Sequence, residues 1–268
     1  FCLSRGLGDV YKRQAFYEVR FEVRAKTAGA KLLFDNILVV YLGDSTDPNL
    51  DFESGENGEK VFNWNMYERR ENPNKPGEFE EGSFGAYAAV KAEGASKDGS
   101  AAVHISKPQA GDVQLYLQSI MLEVGGNTHY LLSYDAMAQG NKKGSLQICV
   151  RQYKNAYGDN VKDEAEAFKW VTDAYEYGSF DWKSCGGAFK TAKDAKFVKI
   201  WLVSNTSDAM DMYIDNVALT KTESIDDPNL DFEYTAGGKP LNWSYVTSDG
   251  IASISADKSV YYRGSSSL

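Results

Sequence analysis

The chain has 268 residues, apolar and charged fractions ordinary for a globular protein, and a formal net charge of −9. That charge argues against a nucleic-acid partner or an anionic membrane surface, since both need a basic patch, and it leaves neutral ligands open. No run of 18 or more apolar residues occurs, so no membrane-spanning helix is expected.

In chain order, Ser4–Gln14 reads SRGLGDVYKRQ, which resembles a translated sequencing adapter. Residues 1–14 are therefore set aside from fold reasoning, as a tag would be. Tyr17–Val23 alternates as a strand, and Phe34–Val40 reads FDNILVV. Further strands are predicted at Phe84–Ala92, Ser100–Ser106, Val113–Leu122, Thr128–Ala138, Ser145–Tyr153, Gly187–Thr191, Lys196–Val203 and Asp211–Leu219. Gly-, Asn- and Ser-rich breakers separate them, and a helical turn or two is expected only near Val161–Trp170.

The string DPNLDFE at Asp47–Glu53 recurs letter for letter 180 residues on, at Asp227–Glu233. FDNILVV is matched by IDNVALT at Ile214–Thr220, and Asn63-Trp64 by Asn242-Trp243. Shared landmarks in the same order imply tandem modules. Residues 15–43 are read as the tail of a first module, 48–222 as a complete second, and 228–268 as the head of a third, so the first and last are truncated. A unit of that length is a domain rather than a solenoid repeat. Many short strands without helical periodicity predict an all-β jelly-roll sandwich of two antiparallel sheets, with a barrel as the alternative.

Alternation separates the faces. Leu146, Ile148 and Val150 share one side of their strand, and Gln147, Cys149, Arg151 and Tyr153 the other. Leu115 and Leu117 oppose Gln114, Tyr116 and Gln118; Val198, Ile200 and Leu202 oppose Lys199 and Trp201. If these strands are neighbours, one sheet turns Tyr, Trp, Gln and Arg outward. Keeping core phase, the first module carries Glu22 where the complete one has Trp201, so folding alone does not account for the ring.

Catalytic motifs are few. His104 and His129 are the only histidines, and no phosphate loop, GxGxxG or GxSxG occurs. Cys149 and Cys185 could bridge or stay as thiols. The acidic run Asp163–Glu166 reads as a solvated loop.

Several pieces together resemble the carbohydrate-binding modules of families four and nine. They are Asn49, Phe52 and Glu53; Gly99–Val103 and Gly264–Leu268; Tyr130, Ser133, Tyr134 and Ala136; Trp182-Lys183 with Phe189; and Ile214–Val217. The resemblance implies a jelly roll that binds polysaccharide, in a secreted or cell-surface multimodular protein whose catalytic domain, if any, lies elsewhere. It also implies a structural calcium held by Glu53 and Asp215, hard oxygens of the kind Ca²⁺ takes.

Sugar recognition needs aromatic faces and hydroxyl-binding amides or guanidinium. Trp201, Tyr116 and Tyr153 are the stacking candidates, Gln118 and Arg151 the hydrogen-bonding ones, and Trp170, Tyr175 and Tyr177 could rim a cleft. Cross-strand pairing explains each tyrosine as well. Trp64, Trp182 and Trp243 read as core. The expectation is therefore a non-catalytic polysaccharide-binding module with its neighbouring modules as partners. A sugar-free structural spacer or adhesin, and a glycoside hydrolase or lyase on the same fold, are the alternatives.

Overall fold

Strands that are apolar on alternate residues bury that side only by laying one sheet on another. The computed structural model describes residues 47–97, 99–139, 146–171, 179–204 and 206–222, and beyond them 229, 232–236, 238–241, 243, 255–261 and 264–268. All fall within one unit, Asp44–Leu268. The adapter-like segment, the fragment 15–43, Tyr175 and Tyr177 lie outside the described residues.

The strands are β1 (Trp64–Glu71), β2 (Phe79–Gly82), β3 (Ala88–Glu93), β4 (Ala101–Lys107), β5 (Val113–Ser119), β6 (Leu122–Glu123), β7 (His129–Ala138), β8 (Leu146–Tyr153), β9 (Phe168–Trp170), β10 (Phe180–Lys190), β11 (Phe197–Ser204) and β12 (Met210–Thr222). A hairpin of β13 (Thr235–Ala236) and β14 (Lys239–Pro240) follows. One sheet has seven strands, ordered β2–β1–β5–β11–β8–β9 with β6 beside β11; the other has five, ordered β10–β7–β12–β4–β3. The pairings are antiparallel. The fold is an all-β jelly-roll sandwich. Leu115, Leu117, Ile148, Val150, Ile200 and Leu202 from one sheet meet Val103, Ile105, Leu132, Tyr134, Ile214 and Phe189 from the other.

Four expectations need correction, and the first is Val113–Leu122, which divides into β5 and β6 around Ile120 and Met121. Phe84–Ala92 is not one strand: the inward Glu68 carboxylate accepts the backbone N–H groups of Phe84, Gly85 and Tyr87, which pulls that stretch out of extended pairing before β3. The helical turn shrinks to a 3₁₀ turn at Glu164–Glu166, capped by Asp163, and the chain then enters β9. Gly187–Thr191 is only the end of the longer β10.

Cys149 and Cys185 are buried thiols, not a bridge. Cys149 lies on β8 of the seven-stranded sheet and Cys185 on β10 of the other.

The described residues of the two DPNLDFE copies make matching contacts. Asn49 donates to Ser54 O and Phe62 O and accepts from Ser54 N; Asn229 does the same with Tyr234 O, Leu241 O and Tyr234 N. Trp64 Nε1 donates to Asn49 O at 3.0 Å, and Trp243 Nε1 to Asn229 O at 2.9 Å. Both Asn49 and Phe52, and likewise Asn229 and Phe232, take positive φ, which lets the turn fold back on the amide. Trp64 is core as expected. Trp182 is half-buried and Trp243 is 40% exposed, so neither is core: each ring lacks the inter-sheet packing that encloses Trp64.

Candidate functional site

The condition set by the sequence is met: β5, β11 and β8 run side by side, and β1 joins β5 on the flank. Register then fixes what faces outward. Tyr67 lies opposite Tyr116, and Asn65 opposite Gln118. Trp201 lies opposite Gln118 on one side and Cys149 on the other. Lys199 faces Arg151, and Cys149 faces Trp170. The strip crosses β1, β5, β11, β8 and β9, roughly 20 Å at the usual strand spacing.

Trp201 is outward of the sandwich but not open. Only 5% of it is exposed. It packs with Cys149 and Val203 under Tyr67, Tyr116 and Phe168, a small apolar cluster distinct from the main core. Tyr67 and Tyr116 stack at 4.9 Å and 6°. Both stand edge-on to Trp201, as does Phe168. The expectation that Trp201 offers its face to a sugar is therefore corrected: neighbouring rings from β1 and β9 cover it. Its Nε1 is buried and finds no hydrogen-bond acceptor among the described residues.

Gln118 and Tyr153 are also buried. Gln118 lies between Asn65 and Trp201 on the floor of the strip. Tyr153 closes the far end of β8, with the Arg151 guanidinium 5.7 Å from its ring. Burial corrects both expectations, Tyr153 as a surface stacking ring and Gln118 as a surface hydrogen-bonding group. Tyr116 and Arg151 stay half-buried within reach of solvent, and Tyr116 Oη donates to Gln114 Oε1 at 3.1 Å. Trp170 is 48% exposed on the edge strand, where it forms one wall of a cleft of about 1110 Å³ together with Lys162, Lys169, Lys190 and Asp194. Sequence reasoning missed Tyr67 and Phe168. The signal for Tyr67 was the strand β1 itself, whose alternation is hidden by Glu68 on its inner side.

Burial, with the nearby Glu81 carboxylate, pushes the Tyr67 hydroxyl up to about 12, and burial raises that of Tyr153. Burial raises the Cys149 thiol as well. These groups are neutral donors at ordinary pH.

Glu53 and Asp215 converge on the loop between β3 and β4. The Glu53 carboxylate accepts from Ser100 N at 2.7 Å, Ala101 N at 3.0 Å and Ser100 Oγ, and a side chain on Gly99 would collide with it. Asp215 Oδ2 accepts from Lys97 N at 3.0 Å. Val217 N donates to Leu50 O at 3.0 Å, which joins the closing strand to the opening segment. Among the described residues no group of three or more acids, histidines or cysteines is placed to hold a metal ion.

No protein-family model matches the chain, and no curated protein does. Solved structures with a similar course include "Family 16 Carbohydrate Binding Module-2", 16% identical over 52% of this chain and 88% of that one, with a TM-score of 0.38. The CBM22-1 xylan-binding domain from Paenibacillus barcinonensis Xyn10C is 13% identical over 65% of this chain and 92% of that one, with a TM-score of 0.41. The enzymatically active domain of bacteriophage CBA120 tailspike protein 4 is 13% identical over 65% of this chain and 22% of that one, with a TM-score of 0.45.

Proposed function

We propose that the outer face of the seven-stranded sheet binds polysaccharide without catalysing its cleavage. The observation that carries this is one face, outside the sandwich core, on which the half-buried rings of Tyr67 and Tyr116 lie beside Gln114, Gln147 and Arg151. Rings give a pyranose an apolar surface, and amides and guanidinium meet its hydroxyls. Trp201 takes the role of a floor that holds the rings in place. Trp170, and Tyr175 and Tyr177 on the reading made from sequence, belong to the rim. The setting is a secreted or surface protein, with 15–43 and 228–268 as parts of neighbouring modules whose added sites would raise avidity.

Calcium at Glu53 and Asp215 belongs to the same proposal. Their chemistry suits a hard cation, with carbonyl oxygens completing the shell. When bound, the ion would tie the opening and closing strands together; the Asp215 and Glu53 bonds to the β3–β4 loop already do part of that work.

One observation favours the spacer reading instead, the burial of Trp201, Gln118 and Tyr153. Affinity electrophoresis and calorimetry against glucans, xylans, mannans and acidic polymers decide between them. Binding is expected, and Tyr67→Ala with Tyr116→Ala should weaken it about tenfold or more, as expected where a stacking ring is worth upward of 1 kcal/mol. Silence across the panel from folded protein would leave the spacer.

A further inference from the structure

Arg151 and Lys199 oppose each other directly across the β8–β11 pair, on the same outer side. Like charges so placed repel, and a sheet with no use for them pairs or separates them. Neither has a carboxylate partner among the described residues. Arg151 Nη2 donates to Asn160 Oδ1 at 3.3 Å, and the guanidinium lies 5.4 Å from the Trp201 ring. Lys199 is half-buried, and its burial, then Arg151, holds the ammonium below the usual lysine range. This happens in a chain with a net charge of −9, where acids to pair with are in surplus.

The two cations line one cleft of about 480 Å³, with Met121, Tyr153, Tyr157 and Gly158. Tyr157 is 87% exposed, a large ring left in water beside two unneutralised charges.

Resting on the carbohydrate-binding reading of this face, we infer that the saccharide bound here is anionic. Its carboxylate, as in a uronic acid, or its sulfate ester lies between the Arg151 guanidinium and the Lys199 ammonium, and its ring lies against Tyr157. An anion turns a repelling pair into charge-assisted hydrogen bonds, whereas a neutral hydroxyl leaves the repulsion in place.

The test uses the full chain and matched polymers: polygalacturonate beside its carboxyl-reduced form, and dextran sulfate beside dextran. The acidic member should bind about tenfold or more tighter, the range of a hydrogen bond to a charged group. The two pairs tell a carboxylate site from a sulfate site. Arg151→Gln and Lys199→Gln should each abolish the preference while melting stays cooperative; both remove a repulsion, and Arg151→Gln also gives up the Asn160 bond and the ring contacts. Lys199→Arg should keep it. Equal affinity within both pairs, or variants that retain the preference, overturns the inference while leaving carbohydrate binding intact. No binding of any polymer by folded protein overturns the parent reading with it.

Discussion

Trp201 shows how one residue can be outward by phase and inward by contact. Its register with Cys149 and Gln118 places it on the outer side of the sheet, yet Tyr67, Tyr116 and Phe168 close over it. Large rings lost from packed sites typically cost about 3–5 kcal/mol. Trp201→Ala is accordingly expected to lower unfolding stability by about 3 kcal/mol in urea titrations. A buried donor without an acceptor costs about 1–3 kcal/mol. Trp201→Phe, which deletes the unpartnered Nε1 and keeps a ring, should therefore cost far less than the alanine change. An alanine variant as stable as the parent would show that the rings above it do not depend on this floor.

At the scale of the element, the β3–β4 loop is where opening and closing strands are stitched. Asp135 on β7 lies opposite Asp215 on β12. The Asp135 carboxylate accepts from Lys97 Nζ at 2.8 Å, from Ser184 Oγ at 2.5 Å and from Asn216 Nδ2 at 3.0 Å. Burial alone would raise the Asp135 carboxyl, but these bonds outweigh it and hold the group below its ordinary value. A depressed carboxylate contributes stability that is present above the unfolded value of about 3.9 and is lost as pH falls through the folded one. Stability should thus hold from neutral pH to about pH 5 and decline below it. Asp135→Asn should start lower at neutral pH and lose less on acidification, as read by melting temperature against pH. The same loop tests calcium. EDTA should lower the melting temperature of calcium-loaded protein and added Ca²⁺ restore it; an unchanged value removes the ion from Glu53 and Asp215.

At the scale of the whole molecule, the sandwich was legible because most strands keep one apolar side. Predicted Lys196–Val203 became Phe197–Ser204, and Ser145–Tyr153 became Leu146–Tyr153, because Val198, Ile200, Leu146 and Ile148 alternate cleanly. β1 was illegible. Its inner side carries Glu68, buried to hold backbone N–H groups from Phe84 to Tyr87, a partnership made 16 or more residues away in sequence. Missing β1 hid Tyr67, and without Tyr67 the covering of Trp201 could not be foreseen. β9 was read as helical because its edge pairing with β8 is a tertiary choice that overrides local preference. Arg151 and Tyr116 were legible because each sits on the polar side of a strand whose other side is cleanly apolar.

The placement of the two thiols on opposite layers has its own consequence. No covalent staple spans the sandwich through Cys149 and Cys185, so the layers are held by packing and by polar links such as Glu68 to the segment before β3 and Lys107 on β4 to Val113 O on β5. Among the described residues reduction would remove no bond between the layers, and the melting temperature should be the same with and without dithiothreitol.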